Sequence, residues 1–204
     1  MGPYCDHIQL NLTQALSIYP GETLQAPHRD QDMWAGPKGS IEYLINVMIP
    51  FVPYRADNGA TVLWQGSHRW PSDAAPDPEA MVVAEMEPGD ALIFLGSTLH
   101  CGGANQTDFP RSGLIISYSL GWLKPYENQW LVYPPEVART FSPQLAQLVG
   151  YRVHRPNLGN YEGQCPSVLL RDQVDDYLAA TDQVTADQAM ALAQFKTAQN
   201  EVQS

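Results

Sequence analysis

The stretch LQAPHRDQDMW, residues 24–34, sets His28 one residue from Asp30 in a chain that has only five histidines. On an extended strand, side chains two apart point to the same face, so His28 and Asp30 project together while Arg29 points away. One imidazole and one carboxylate then share a face. His100 ends a different apolar run, and brought beside that pair it makes a set of two histidines and one carboxylate. Three such ligands leave open positions on an octahedral ion and suit Fe(II), whereas zinc with the same ligands prefers a tetrahedron and has no redox role. Eleven residues after His100, Arg111 opens the next apolar run, and a hairpin between the two runs would return its guanidinium to the same cavity. A guanidinium fork meets a carboxylate with two parallel charge-assisted hydrogen bonds, which makes Arg111 the candidate anchor of a carboxylate ligand.

Each of these residues also has a plain reading. A lone His-x-Asp recurs by chance, and a single histidine is commonly a surface group or a hydrogen-bonded core residue. His68, in "GSH", reads as structural. Cys101 follows His100 directly, so on a strand it points the other way. Asp32 stands either behind Asp30 or in solvent. Met33, Trp34, Trp64, Trp122 and Trp130 are core aromatics and thioethers first, with one or two of them expected to touch a substrate.

Composition narrows the setting. A chain of 204 residues is expected to form one domain that buries roughly 70% of its unfolded surface. Its 22 Asp and Glu against 11 Lys and Arg give a net charge of -11, which repels nucleic acid phosphates and anionic membrane faces. Neither is an expected partner. The start, MGPYCDHIQLNL, has no basic and apolar leader pattern, and no run of about 18 apolar residues occurs, so a cytoplasmic location is expected. Cys5, Cys101 and Cys165 are widely spaced and odd in number, which favours reduced thiols over a disulfide framework or a zinc ligand set.

The elements that must position the candidate residues are strands through about residue 134 and helices after it. Ile8 to Tyr19 and the run into His28 flank a Pro20-Gly21 turn. "SIEYLINVMIPFV", Ser40 to Val52, suits a buried strand. Asn58-Gly59 marks a tight turn into Thr61 to Trp64, and these two runs are expected to form a hairpin. "EPGDALIFLGSTLH" leads into a strand that runs up to His100, and "RSGLIISYSLGWL" is expected beside it, antiparallel. Further on, Ser142 and Pro143 fit the N-cap and first position of a short helix that ends before Gly150. Thr185 and Gln188 make a capping box for a last helix, in which Ala189, Leu192, Ala193 and Phe195 are expected to share a face.

Taken together, "HRD", "NGATVLWQGSHRW", "PGDALIFLGSTLHCGGANQT" and the arginine of "PRSGLIISYSLGW" resemble the phytanoyl-CoA dioxygenase family of Fe(II)- and 2-oxoglutarate-dependent oxygenases. The likeness covers roughly residues 8–135 in order, and "QAPHRDQDMW" is similar to the branch with fungal alkaloid-tailoring dioxygenases of secondary metabolism. It implies a mainly β fold with flanking helices, a double-stranded β-helix or cupin-like jelly-roll barrel. The expected organisation is a single oxygenase domain over 1–204, with barrel strands in 1–134 and a mostly helical 135–204. Carried over by position, His28, Asp30 and His100 would be the metal ligands and the catalytic set. Arg111 would bind 2-oxoglutarate, with Gln25 and Thr61 as further contacts. The implied reaction uses molecular oxygen to oxidise a small, fairly apolar metabolite and releases succinate and CO2. Asp30 favours an oxygen-derived outcome, because related halogenases have a small residue there. The alternative is a β-barrel binding protein that keeps the fold without turnover, or a non-oxidative metal enzyme. Relatives carry an N-terminal segment that has no counterpart here, and a homodimer covering the surface it would otherwise bury is the corresponding expectation.

Overall fold

A computed structural model of the protein describes residues 4–37, 39–174 and 179–203. The chain forms two compact units, Met1–Glu127 and Asn128–Ser204. Among the described residues all the strands lie in the first: β1 (Ile8–Ile18), β2 (Leu44–Pro50), β3 (Thr61–Trp64), β4 (Met81–Val83), β5 (Leu92–Leu95), β6 (His100–Gly102) and β7 (Arg111–Leu120). They build two antiparallel sheets, one ordered β1-β7-β2-β5 and one ordered β4-β3-β6. Among the described residues the two sheets are not joined into one closed ladder; the mainly β, jelly-roll class expected from the sequence is the class observed.

Strand periodicity sets what each sheet offers the interior. Along β2 the buried positions alternate as Leu44, Asn46, Met48 and Pro50, and along β7 as Arg111, Gly113, Ile115 and Ser117. Met48, Tyr54, Ala60, Met86, Phe94 and Ile115 form an apolar cluster with residues of both sheets around it. On β3, Val62 and Trp64 belong instead to a second cluster with Leu99 and Cys101. That cluster keeps Cys101 apart from His100, as alternation along the strand requires.

Two expected strand pairings are corrected. The run Ser40 to Val52 and the run Thr61 to Trp64 do not form a hairpin, because β2 pairs with β5 and β7 while β3 pairs with β4 and β6. The Asn58-Gly59 turn is present, with Gly59 at φ 92° and Arg55 N donating to Asn58 Oδ1 at 2.8 Å. It carries the chain from one sheet to the other. Likewise the run ending at His100 is not one strand beside β7. It breaks at Gly96, where a Cβ would stand 2.5 Å from that of Leu44, and a turn closes with Thr98 N donating to Leu95 O at 2.9 Å. β5 thus stays with β2, and β6 joins β3 in the other sheet.

The second unit holds α1 (Gln129–Val132), α2 (Pro135–Ala138), α3 (Pro143–Leu148) and α4 (Ala186–Gln203). Ser142 caps α3 by accepting from Leu145 N at 3.3 Å, and Gly150 follows its end at φ 104°. The capping box of α4 is formed: Thr185 N donates to Gln188 Oε1 at 2.9 Å and Gln188 N to Thr185 Oγ1 at 3.3 Å. Ala189, Leu192, Ala193 and Phe195, expected to share a face of α4, are all exposed. At 3.6 residues per turn the four fall within an arc of about 160°, with Leu192 and Ala189 between Phe195 and Ala193, so they do share one side of the helix. No described helix is long and apolar enough to cross a membrane.

Candidate metal centre

His28 and His100 are opposite each other in an isolated antiparallel bridge, each donating its N–H to the other's carbonyl at 3.0 Å. Directly opposed residues of an antiparallel pair send their side chains to the same face. Their ring centroids are accordingly 4.5 Å apart. The backbone after His28 is not a continued strand, as the alternation argument assumed. Arg29 is extended at φ -120°, ψ 123°, and a 3-10 turn then runs over Asp30–Met33. The pairing of His28 with Asp30 survives this change, with His28 Nε2 3.4 Å from Asp30 Oδ1 and His100 Nε2 3.4 Å from Asp30 Oδ2. Potential ligand atoms of these three residues lie within 4.8 Å of one another.

Hydrogen bonds orient each of the three. His28 Nδ1 is 2.9 Å from Ala26 O and His100 Nδ1 is 3.0 Å from Thr98 O. A carbonyl accepts only from a protonated Nδ1, which leaves both Nε2 lone pairs directed at the shared space. Asn46 Nδ2 donates to Asp30 Oδ2 at 2.7 Å. Arg29 ties down the backbone behind the pair, donating from Nε to Ser97 O at 3.0 Å and from Nη2 to Ser67 O at 3.2 Å. Phe94 packs edge-on to His100, with centroids 4.8 Å apart.

Environment separates the two histidines. The hydrogen bond to Asp30 outweighs partial burial and raises the His28 pKa above its ordinary value. Burial dominates at His100 and lowers it. For Asp30 burial acts upward, yet the His28 hydrogen bond, the charges of both histidines and the Asn46 amide together hold the carboxyl below its usual range. A neutral imidazole and an ionised carboxylate are the forms a divalent cation requires.

These residues open on a cavity of about 630 Å³ that Gln25, Thr61 and Arg111 also line. Arg111 is 1% exposed. Its Nη1 donates to Tyr54 Oη at 3.0 Å and its Nη2 to Gly59 O, while Nε has no hydrogen-bond partner among the described residues. No carboxylate pairs with it among the described residues. A buried cation without a counter-ion is costly in free energy unless an anion enters its cavity. Thr61 is buried at the same wall, and Gln25 Oε1 accepts from Gly102 N at 2.9 Å. The six candidate residues thus border one space. Of the apolar residues considered for a substrate wall, Met33 lines the cavity, Trp64 is buried in the cluster with Cys101, and Trp130 lies in the second unit. Trp34 and Trp122 donate their indole N–H groups to Lys124 O and Tyr4 O, each at 2.9 Å.

Sequence reasoning missed Asn46, Arg29 and Tyr54. Asn46 left one trace, a lone amide in the apolar run LINVMIP. Nothing local marked Tyr54, which reaches Arg111 across 57 positions of sequence.

Two antiparallel sheets around a His-x-Asp and a distant histidine define a double-stranded β-helix of the non-haem type. The family model described as phytanoyl-CoA dioxygenase matches residues 7–113, over half of the chain, and the chain belongs to that family. It is 36% identical over 154 residues to dioxygenase trt7 of Aspergillus terreus, covering 73% of this chain and 53% of that one. It is 32% identical over 152 residues to the iron/alpha-ketoglutarate-dependent dioxygenase penM of Penicillium thymicola, covering 70% and 47%. The chain therefore spans about half the length of the curated relatives it matches. Among solved structures, the apo form of the non-heme monooxygenase ThoJ superposes with a TM-score of 0.51 at 19% identity, over 59% of this chain and 50% of that one. That likeness is one of fold.

Proposed function

We propose that the protein is an Fe(II)- and 2-oxoglutarate-dependent oxygenase acting on a small, fairly apolar metabolite. The observation that carries the reading is one cavity bordered both by a His-Asp-His set and by a buried guanidinium with no counter-ion among the described residues. In this reading His28 and His100 hold Fe(II) through Nε2 and Asp30 through a carboxylate oxygen. Arg111 pairs with the distal carboxylate of 2-oxoglutarate, and the Thr61 hydroxyl and Gln25 amide add hydrogen bonds. Gln25 Oε1 is already taken by Gly102 N, so the amide N–H₂ is the group it has to offer. Leu16, Ile18, Met48 and Ile115 are among the apolar residues lining the same cavity, and they lower the local dielectric in which the ion pair would form. When bound, Fe(II) would supply the redox chemistry that couples oxygen and 2-oxoglutarate decarboxylation to oxidation of a substrate C–H bond.

The reading treats the 204 residues as one oxygenase domain and places it in the cytoplasm, where its three free cysteines would stay reduced. It includes a two-fold homodimer, to which edge strand β5 contributes Ile93, 68% exposed. Iron-dependent conversion of 2-oxoglutarate to succinate, with and without candidate substrates, tests the activity. No iron-dependent succinate from wild-type protein would overturn it. Sedimentation equilibrium at micromolar concentration tests the dimer, which a stable, active monomer would rule out.

A further inference from the structure

Asn46 sits where an amide is expensive to bury. It occupies the inward face of the central strand β2, between Leu44 and Met48, and is 1% exposed. An amide taken out of water there is destabilising unless its hydrogen bonds are replaced. The replacement is an ionised group: Nδ2 donates to Asp30 Oδ2 at 2.7 Å. This distance is at the short end for N–H···O and is that of a charge-assisted bond.

The register places this amide within a polar row that crosses three strands. Asn46 stands opposite Ser117 on β7, and Asn11 on β1 donates from Nδ2 to Ser117 Oγ at 3.0 Å. Asn11 is the extra residue of a bulge at Leu10/Leu12 and is buried beside Leu10. Bulges re-aim a side chain next to functional sites. Asp30 is the end of the row and the one charged member.

We infer that Asn46 is a positioning residue for the metal centre: its amide N–H occupies one oxygen of Asp30, so that the carboxylate offers the other to the ion. The inference rests on the reading of His28, Asp30 and His100 as metal ligands. A carboxylate held this way cannot turn to chelate through both oxygens, and fewer of the ion's positions are used by the protein. Asp30 is the first residue of a short 3-10 turn, and the partners of its carboxylate, Asn46, His28 and His100, all lie outside that turn.

The test is titration of the metal-free 204-residue protein with Co(II), followed by affinity and by the visible ligand-field spectrum. Wild type should bind one Co(II), and Asp30→Ala should bind none at that site. Asn46→Leu, which keeps the volume and removes the N–H, should weaken Co(II) binding about 10- to 100-fold and change the spectrum while far-UV circular dichroism is retained. Asn46→Ser, too short to reach Asp30, should do the same and decides the matter if the leucine variant fails to fold. In unmutated protein the Asn46 side-chain amide resonances should shift on addition of Zn(II). Wild-type affinity and spectrum in either folded Asn46 variant, or amide resonances that do not move, would overturn the role of Asn46. Failure of wild type to bind Co(II), or binding that survives Asp30→Ala, would instead overturn the metal-centre reading, and is seen without any Asn46 variant.

Discussion

The guanidinium of Arg111 lies over the ring of Tyr54, 4.2 Å from its centroid, and Nη1 donates to the Tyr54 hydroxyl at 3.0 Å. Tyr54 is fully buried and its hydroxyl also reaches Met48 Sδ at 3.6 Å. A cation fixed by a ring face, a hydroxyl and a carbonyl, but by no anion among the described residues, is preorganised for a carboxylate that arrives with the ligand. Arg111→Ala should therefore raise the apparent KM for 2-oxoglutarate by the equivalent of about 2–5 kcal/mol, because the incoming carboxylate is left buried and unpaired. Arg111→Lys should recover only part, since an ammonium cannot form the fork. An unchanged KM in Arg111→Ala would place the anchor elsewhere.

Metal stoichiometry separates the proposed ligands from a nearby histidine. Replacing His28, Asp30 or His100 by Ala should remove bound iron after dialysis and abolish turnover. His68→Ala should keep wild-type stoichiometry, because His68 is not in the His-Asp-His group. Full iron occupancy in His100→Ala, measured by elemental analysis, would sink the assignment.

Proton uptake should distinguish the two histidines in metal-free protein. His28, with its pKa raised, favours the folded state at pH below about 6.5, and this contribution is lost as pH rises through its folded value. His100, with its pKa lowered, has the opposite sign: the unfolded chain takes up the proton first, so stability falls as pH drops from about 6.5 toward its folded value. The Asp30 contribution is present at neutral pH and is lost as pH falls through its lowered folded value. NMR titration of the imidazoles checks the order. His100 protonating at higher pH than His28 would contradict it.

Local pattern made much of this site legible, and long-range pairing made the remainder illegible. His28 and Asp30 were readable because two residues that close share a face on an extended chain, and the 3-10 turn at Asp30 did not separate them. His100 and Arg111 were readable as the ends of two apolar runs. Their route to the cavity was not, because Gly96 gives up its side chain to Leu44, and that steric demand is invisible without the partner strand. The same holds for the sheet assignment of Thr61–Trp64, which a turn signal at Asn58-Gly59 could not decide. Asn46, Arg29 and Tyr54 act through bonds to groups 16 to 68 positions away, beyond any periodicity. On α4 the capping box was readable from two residues, whereas the exposure of the apolar side of the helix depends on packing that periodicity does not encode.

Gly113 provides a last test of how the Arg111 pocket is built. It lies two residues after Arg111 on the inward face of β7, where its neighbours Arg111 and Ile115 are buried. A Cβ there would overlap the Tyr54 hydroxyl and stand 2.8 Å from Ile49 O. Glycine thus makes the room that the phenol fills beneath the guanidinium. Gly113→Ala should cost about 1–3 kcal/mol of stability through overpacking, and it should raise the KM for 2-oxoglutarate by displacing Tyr54 from Arg111. Tyr54→Phe alone should also destabilise, because it leaves Nη1 of a buried cation without that acceptor. Combined, the two changes should cost less than their sum, since removing the hydroxyl relieves the overlap with the new methyl group. The clash with Ile49 O remains, so recovery is partial. Urea unfolding of both single variants and the double variant measures the coupling. Strict additivity would show that Gly113 and the Tyr54 hydroxyl do not share this space.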